Sequence, residues 1–181
     1  MNMFAVMYIG MAPLVSISSV IAEEKEKNTL RVLHMANVKA GAYLIGNAVY
    51  IWIICMLGSL AMGLAGGYRG DLLVKFLLIM AIGHLISSLL GAAIGVFSKN
   101  QMSATSLTVP VMLVFSFLPM LSMFNETIGK LAKFFYSQQL SLLMNGLPDL
   151  KVDGECILVV LGNMAVIGVI FVMAYRDRNR P

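Results

Sequence analysis

Charge is what this sequence has least of. Only 12% of its 181 residues are Asp, Glu, Lys or Arg, against 59% hydrophobic. A soluble domain carries about 25% charged residues, so an ordinary water-soluble globule is excluded. Cysteine is nearly absent as well. Cys55 and Cys156 fall near opposite ends of different apolar runs, so they read as inert packing residues rather than a disulfide. Catalytic patterns are missing: neither HExxH nor GxSxG occurs, and the two histidines, His34 and His84, sit in different settings. "GAYLIGNA" has the glycine spacing of a phosphate loop, but Asn47 and Ala48 stand where Lys and Ser/Thr are required. No strand precedes it either. If ATP is used, another chain binds it, and this chain carries no cofactor or metal site of its own.

What the sequence has instead is oil in long runs. About 20 helical residues cross a bilayer, and five runs are that long: about 2–22, 40–64, 72–97, 102–124 and 156–175. A barrel would need short alternating segments, so the expected fold is an all-α integral membrane protein with one transmembrane domain over 1–181.

The net charge of +4 does not point to nucleic acid, because the bases cluster only beside apolar runs. They set orientation instead. With the loop after the first span in the cytoplasm, eight of the 13 bases are inside: Lys25, Lys27, Arg31, Lys39, Lys99, Arg176, Arg178 and Arg180. The expectation is a multi-pass protein of a bacterial plasma membrane with a cytoplasmic C-terminus. The N-terminus would then lie outside. "MNMFAVMYIG" has no basic n-region, so a cleaved signal peptide does not fit and a preceding span is expected to be missing.

The oil is interrupted once, early, at 23–39, where seven charges fall in seventeen residues. Glu23, Glu24, Lys25, Glu26 and Lys27 extend the first span out of the membrane. Asn28 or Thr29 is suited to cap a new helix. Beyond it, Leu30, Leu33 and Val38 are apolar while Arg31, His34 and Lys39 are polar, the pattern of a short surface helix, with Asn37 and Gly41 turning the chain back. A plain solvated connection fits the same residues, because the segment is short.

"EEKEKNTLRVLHMANVKAGAYLIGN" resembles the first cytoplasmic loop of type-2 ABC transporter permeases. The acids match at Glu24 and Glu26, a Gly-Thr-Leu-like triplet at Asn28-Thr29-Leu30, a later leucine at Leu33, the turn at Ala36-Asn37-Val38 and the re-entry at Gly46-Asn47. Asn28, Asn37 and Asn47 depart from the usual Gly, Pro and Lys. The resemblance implies a six-span fold, here one span short. It also implies a coupling helix docked on a separate nucleotide-binding subunit that holds ATP-Mg, and a second permease subunit completing the pathway. Leu30 and Leu33 would be the apolar anchors, with Glu24, Glu26, Thr29, Arg31 and Asn37 around them.

Other residues admit two readings each. His84 is ionisable at mid-span depth, which marks a candidate pathway residue, or a neutral ring bonded to Ser87, Ser88 or a neighbouring helix. Asn163 is either a second pathway residue or an interhelical hydrogen bonder. Ser59, Gly63 and Gly67, and Ser87, Gly91 and Gly95, form small-residue stripes for packing within the chain or between two copies. Pro13, Pro110 and Pro119 fall inside spans. Residues 125–155 hold Ile128, Leu131, Phe134 and Phe135 in helical period. They are expected to lie on or dip into the outer leaflet, resembling the paired outer helices of these permeases. Asn125-Glu126-Thr127 is formally a glycosylation sequon.

The expected function is an ABC permease subunit that exports a lipophilic or amphipathic molecule such as a drug, antimicrobial peptide or lipid-linked compound. The alternatives are an ATP-independent channel or accessory protein and an intramembrane lipid-modifying enzyme. In intact cells, a cysteine introduced within 28–39 should resist an impermeant maleimide and become reactive only after the membrane is opened. Labelling from outside would reverse the orientation.

Overall fold

The computed structural model describes residues 2–27, 40–148 and 153–178. Among them there are seven helices and no strand: α1 (Asn2–Glu26), α2 (Ala40–Ala65), α3 (Asp71–Phe97), α4 (Gln101–Ser122), α5 (Glu126–Ala132), α6 (Tyr136–Asn145) and α7 (Gly154–Arg178). The all-α fold class expected from composition is the one found. Helices α1, α2, α3, α4 and α7 are long and apolar enough to cross a membrane. At 1.5 Å per residue a 25-residue helix is about 37 Å long, more than the roughly 30 Å hydrocarbon layer, so its ends emerge at the interface.

Apolar residues surround these helices on every side, so periodicity alone does not tell core from lipid face. Small residues make that choice. In α3, a side chain at Gly91 would stand 2.5 Å from the Leu14 carbonyl oxygen of α1, and one at Gly95 would stand 3.0 Å from the Ser18 carbonyl oxygen. The α3 stripe therefore packs within this chain. It brings α1 and α3 into backbone contact and makes them the central pair, with the largest buried shares of the five spans. On its other side α1 meets α4. There Gly10 leaves room for Ser116, and the Thr108 hydroxyl donates to the Ser18 Oγ at 2.9 Å, both buried. Between α2 and α3 the chain turns through Gly67 (φ 77) and Gly70 (φ 56), left-handed conformations that favour glycine.

Helices α5 and α6 form a hairpin that plunges into the bundle. Tyr136, at the start of α6, is fully buried; its hydroxyl lies 2.8 Å from the Ser87 Oγ and its ring stacks on Phe115 at 5.0 Å. Ser87 is sixteen residues from the start of α3, about 24 Å along that helix. The hairpin tip thus reaches well below the end of α3 from which it enters. Irregular backbone at such depth needs partners from the protein. Gln139 Nε2 donates to the Lys133 carbonyl and Asn163 Nδ2 to the Phe134 carbonyl, at 2.7 and 2.8 Å. The sequon has a structural use: Asn125 caps α5, its side chain accepting from the Thr127 and Ile128 amides. Cys55 and Cys156 are free and buried.

Gly91→Ala should force α1 and α3 apart and cost about 1–3 kcal/mol, read as a lower melting temperature in detergent. Gly46→Ala and Gly162→Ala, with nothing within 4 Å of the added carbon, should leave that temperature unchanged or slightly higher.

Candidate functional site

Helix α1 does not stop where its apolar run ends at Ala22; it continues to Glu26. Successive residues on an α-helix point about 100° apart, and three consecutive charged residues here reach three different helices. Glu24 accepts a hydrogen bond from the Tyr43 hydroxyl in the first turn of α2, at 2.8 Å. Lys25 Nζ donates to the Val96 carbonyl at 2.7 Å and to the Ser98 carbonyl, both at the end of α3. Glu26 accepts from the Gln101 amide, the first residue of α4, at 3.0 Å.

The signs of these charges follow from the helix ends they touch. A helix C-terminus presents unpaired carbonyls and partial negative charge, and an N-terminus presents unpaired amides and partial positive charge. Lys25 sits on the first and Glu26 on the second. Both ends are within reach because only residues 98–100 separate α3 from α4. Asn100 completes the start of α4 by accepting from the Ser103 amide at 2.8 Å, and Ser98 closes α3 through its amide and hydroxyl on the Ile94 carbonyl. Glu23 and Lys27 form an exposed i,i+4 ion pair, which raises the Lys27 pKa above its ordinary value, first through their hydrogen bond. Such a pair adds little stability.

Of the expected loop residues, Glu24 and Glu26 are thus seen, turned toward the bundle. Thr29, Leu30, Arg31, Leu33 and Asn37 lie outside the described residues. Lys25 and Tyr43, which sequence reasoning passed over, belong to the same constellation. The sequence offered the alternating E-K-E run itself, but its partners lie 19 to 75 positions away and nothing beside the run marks them.

The second polar group is at the centre of the bundle. His84, fully buried on α3, has Nε2 2.7 Å from the Ser59 Oγ of α2. Ser59 in turn donates to the Cys55 carbonyl at 2.9 Å. With the only hydroxyl proton used there, His84 donates from Nε2, and its buried Nδ1 is an acceptor with no partner among the described residues. The Tyr8 ring of α1 meets the imidazole edge-on at 5.5 Å. His84 therefore bridges to a neighbouring helix rather than to Ser87, which is bonded to Tyr136, or to Ser88, which has no partner among the described residues.

A protein-family model described as "ABC-2 family transporter protein" matches residues 1–175. The chain belongs to the ABC-2 family of transporter proteins. It is a multi-pass membrane permease of an ABC transporter, a transport subunit. No curated protein and no solved structure matches it.

In this ABC-2 permease neither the charged end of α1 nor His84 lines the two large apolar grooves. A groove of about 600 Å³ runs along α1 and is lined by Phe4, Met7, Tyr8, Met11, Met62 and Met112, among others. A second, of about 450 Å³, is lined by Ile17, Ile21, Leu44, Ala92 and Phe171 with Ser88 as its one hydroxyl side chain. His84 lines neither. Asn163 lines a smaller cleft of about 320 Å³ beside Phe134, the residue whose carbonyl it binds. Among the described residues no three His, Cys, Asp or Glu side chains are grouped to hold a metal ion.

Ser59→Ala should strand the His84 Nε2 proton and lower the unfolding stability in detergent by about 1–3 kcal/mol. Ser59→Ala combined with His84→Leu should cost less than the sum of the two single changes. Strict additivity in that cycle would deny the bond.

Proposed function

We propose that this permease is driven by a separate ATP-binding subunit that docks on the 23–39 loop. It works with a second permease subunit and exports a lipophilic or amphipathic molecule such as a drug, an antimicrobial peptide or a lipid-linked compound. ATP-Mg is held by the partner ATPase, and this chain contributes no catalytic or cofactor-binding residue. In this reading the charged end of α1 and the C-terminus of α7 face the cytoplasm of a bacterial cell, as the Lys/Arg bias favours.

One observation carries the reading. The helix that leads into the loop is tied by three adjacent residues, Glu24, Lys25 and Glu26, to α2, α3 and α4. A load applied beyond Lys27 is therefore delivered to the body of the bundle rather than lost in a slack connection. Rigid-body shifts of packed helices are the kind of transition such a load drives, and nucleotide bound to the partner would bias the bundle between two states. The methionine-rich groove supports an apolar cargo, since thioether side chains adapt to irregular hydrophobic shapes.

Leu30 and Leu33 are the proposed anchors. Burying a leucine is worth roughly 1.5–3 kcal/mol, so Leu30→Glu with Leu33→Glu should weaken ATPase binding by about 100-fold or more. The check is co-purification of a cytoplasmic ATPase with the full chain in mild detergent, followed by its loss in the double variant. An ATPase retained undiminished by the double variant, or none bound by the unaltered chain, would overturn the proposal.

A further inference from the structure

We infer that Lys25 and Glu26 are positioning residues of the transport cycle, through which the loop after α1 moves the α3–α4 turn. The inference rests on the ATP-driven reading above and adds to it a route inside this chain. Its basis is the kind of atom each residue holds. Lys25 binds the Val96 and Ser98 carbonyls, and Glu26 binds the Gln101 amide. All three are main-chain groups, so a displacement of the α1 end acts on the backbone of α3 and α4 and is not absorbed by a pivoting side chain.

The packing explains why the link is needed at that place. Along their length α1 and α3 are already joined by backbone contact at Gly91 and Gly95. Helix α4 is held to α1 by the Ser18–Thr108 pair and the Gly10–Ser116 contact, deeper in the bundle. Its first turn has Glu26 as its tie to α1. Residues Lys99, Asn100 and Gln101 are exposed, so a reporter in the turn is open to a labelling reagent. Each charge also matches the partial charge of the helix end it holds. Exchanging the two residues would therefore set a carboxylate against carbonyls and an ammonium against an amide, with no change in net charge or in the Lys/Arg count that orients the chain.

That exchange is the test. The permease is purified with its ATPase in lipid nanodiscs, with Cys55 and Cys156 replaced by Ala. A single reporter cysteine is placed at Asn28 or at Lys99. The rate of labelling by a maleimide is measured with and without a non-hydrolysable ATP analogue and Mg²⁺. With Lys25 and Glu26 in place, the analogue should change the rate at both positions, by about fivefold or more if the coupling is of ordinary size. In Lys25→Glu/Glu26→Lys the response at 28 should persist and the response at 99 should vanish. Lys25→Arg, which keeps charge and donors, should respond at both.

A response at 99 that survives the exchange overturns the inference. So does a silent 99 beside a responsive 28 in the unaltered pair. Silence at both positions removes the ATP-driven reading itself, and the relay with it. If the exchanged protein does not accumulate, Glu26→Gln, which keeps size and an acceptor but not the charge, is judged by the same loss at 99.

Discussion

Lipid offers no hydrogen bonds. Every backbone amide and carbonyl within reach of hydrocarbon must find its partner in the protein, and a helix satisfies all of them except at its two ends. Those ends account for several of the polar side chains described here. Lys25 and Glu26 close the facing ends of α3 and α4, Asn125 closes the start of α5, and Gln139 and Asn163 satisfy the hairpin tip. So little charge is spent elsewhere that the few charged residues near the bilayer acquire a second role. At Lys25 and Glu26 the residue that completes a helix end also joins two helices.

Close packing then decides which helices are central. In water an apolar stripe marks the buried face. In a bilayer that signal is lost, because lipid-facing and core-facing residues are equally apolar. Absence of side-chain volume takes its place. Gly91 and Gly95 admit α1 to the backbone of α3, and Gly10 admits Ser116 of α4. Helix α1 lies between them and leads from that core to the charged loop, whose other end enters α2 at Ala40. The helix that leads into the charged loop is thus one of the two most deeply buried spans, the other being α3.

Much of this could be read in the chain itself, though unevenly. The fold class and the likeness to ABC permeases were legible because run length and the E-E-K-E-K interruption are local features. The partners of Glu24 and Glu26 were not, since Tyr43 and Gln101 are 19 and 75 positions away and nothing local marks them. His84 was legible as an anomaly but not as one end of a bond to Ser59. At Asn125 the three letters formally name a sequon, and the start of α5 adds a role they did not announce, that of helix cap.

The amino-acid order alone determined that this chain lives in a membrane as a set of apolar helices with one charged interruption, because hydrophobic length and charge placement are additive along the chain. Which helix lies at the centre, how far the 125–148 hairpin descends, and which backbone groups Lys25 and Glu26 grasp were decided only in three dimensions. Each of these is a contact between residues far apart in the chain, and in a bilayer no change of polarity along the sequence marks where such contacts fall.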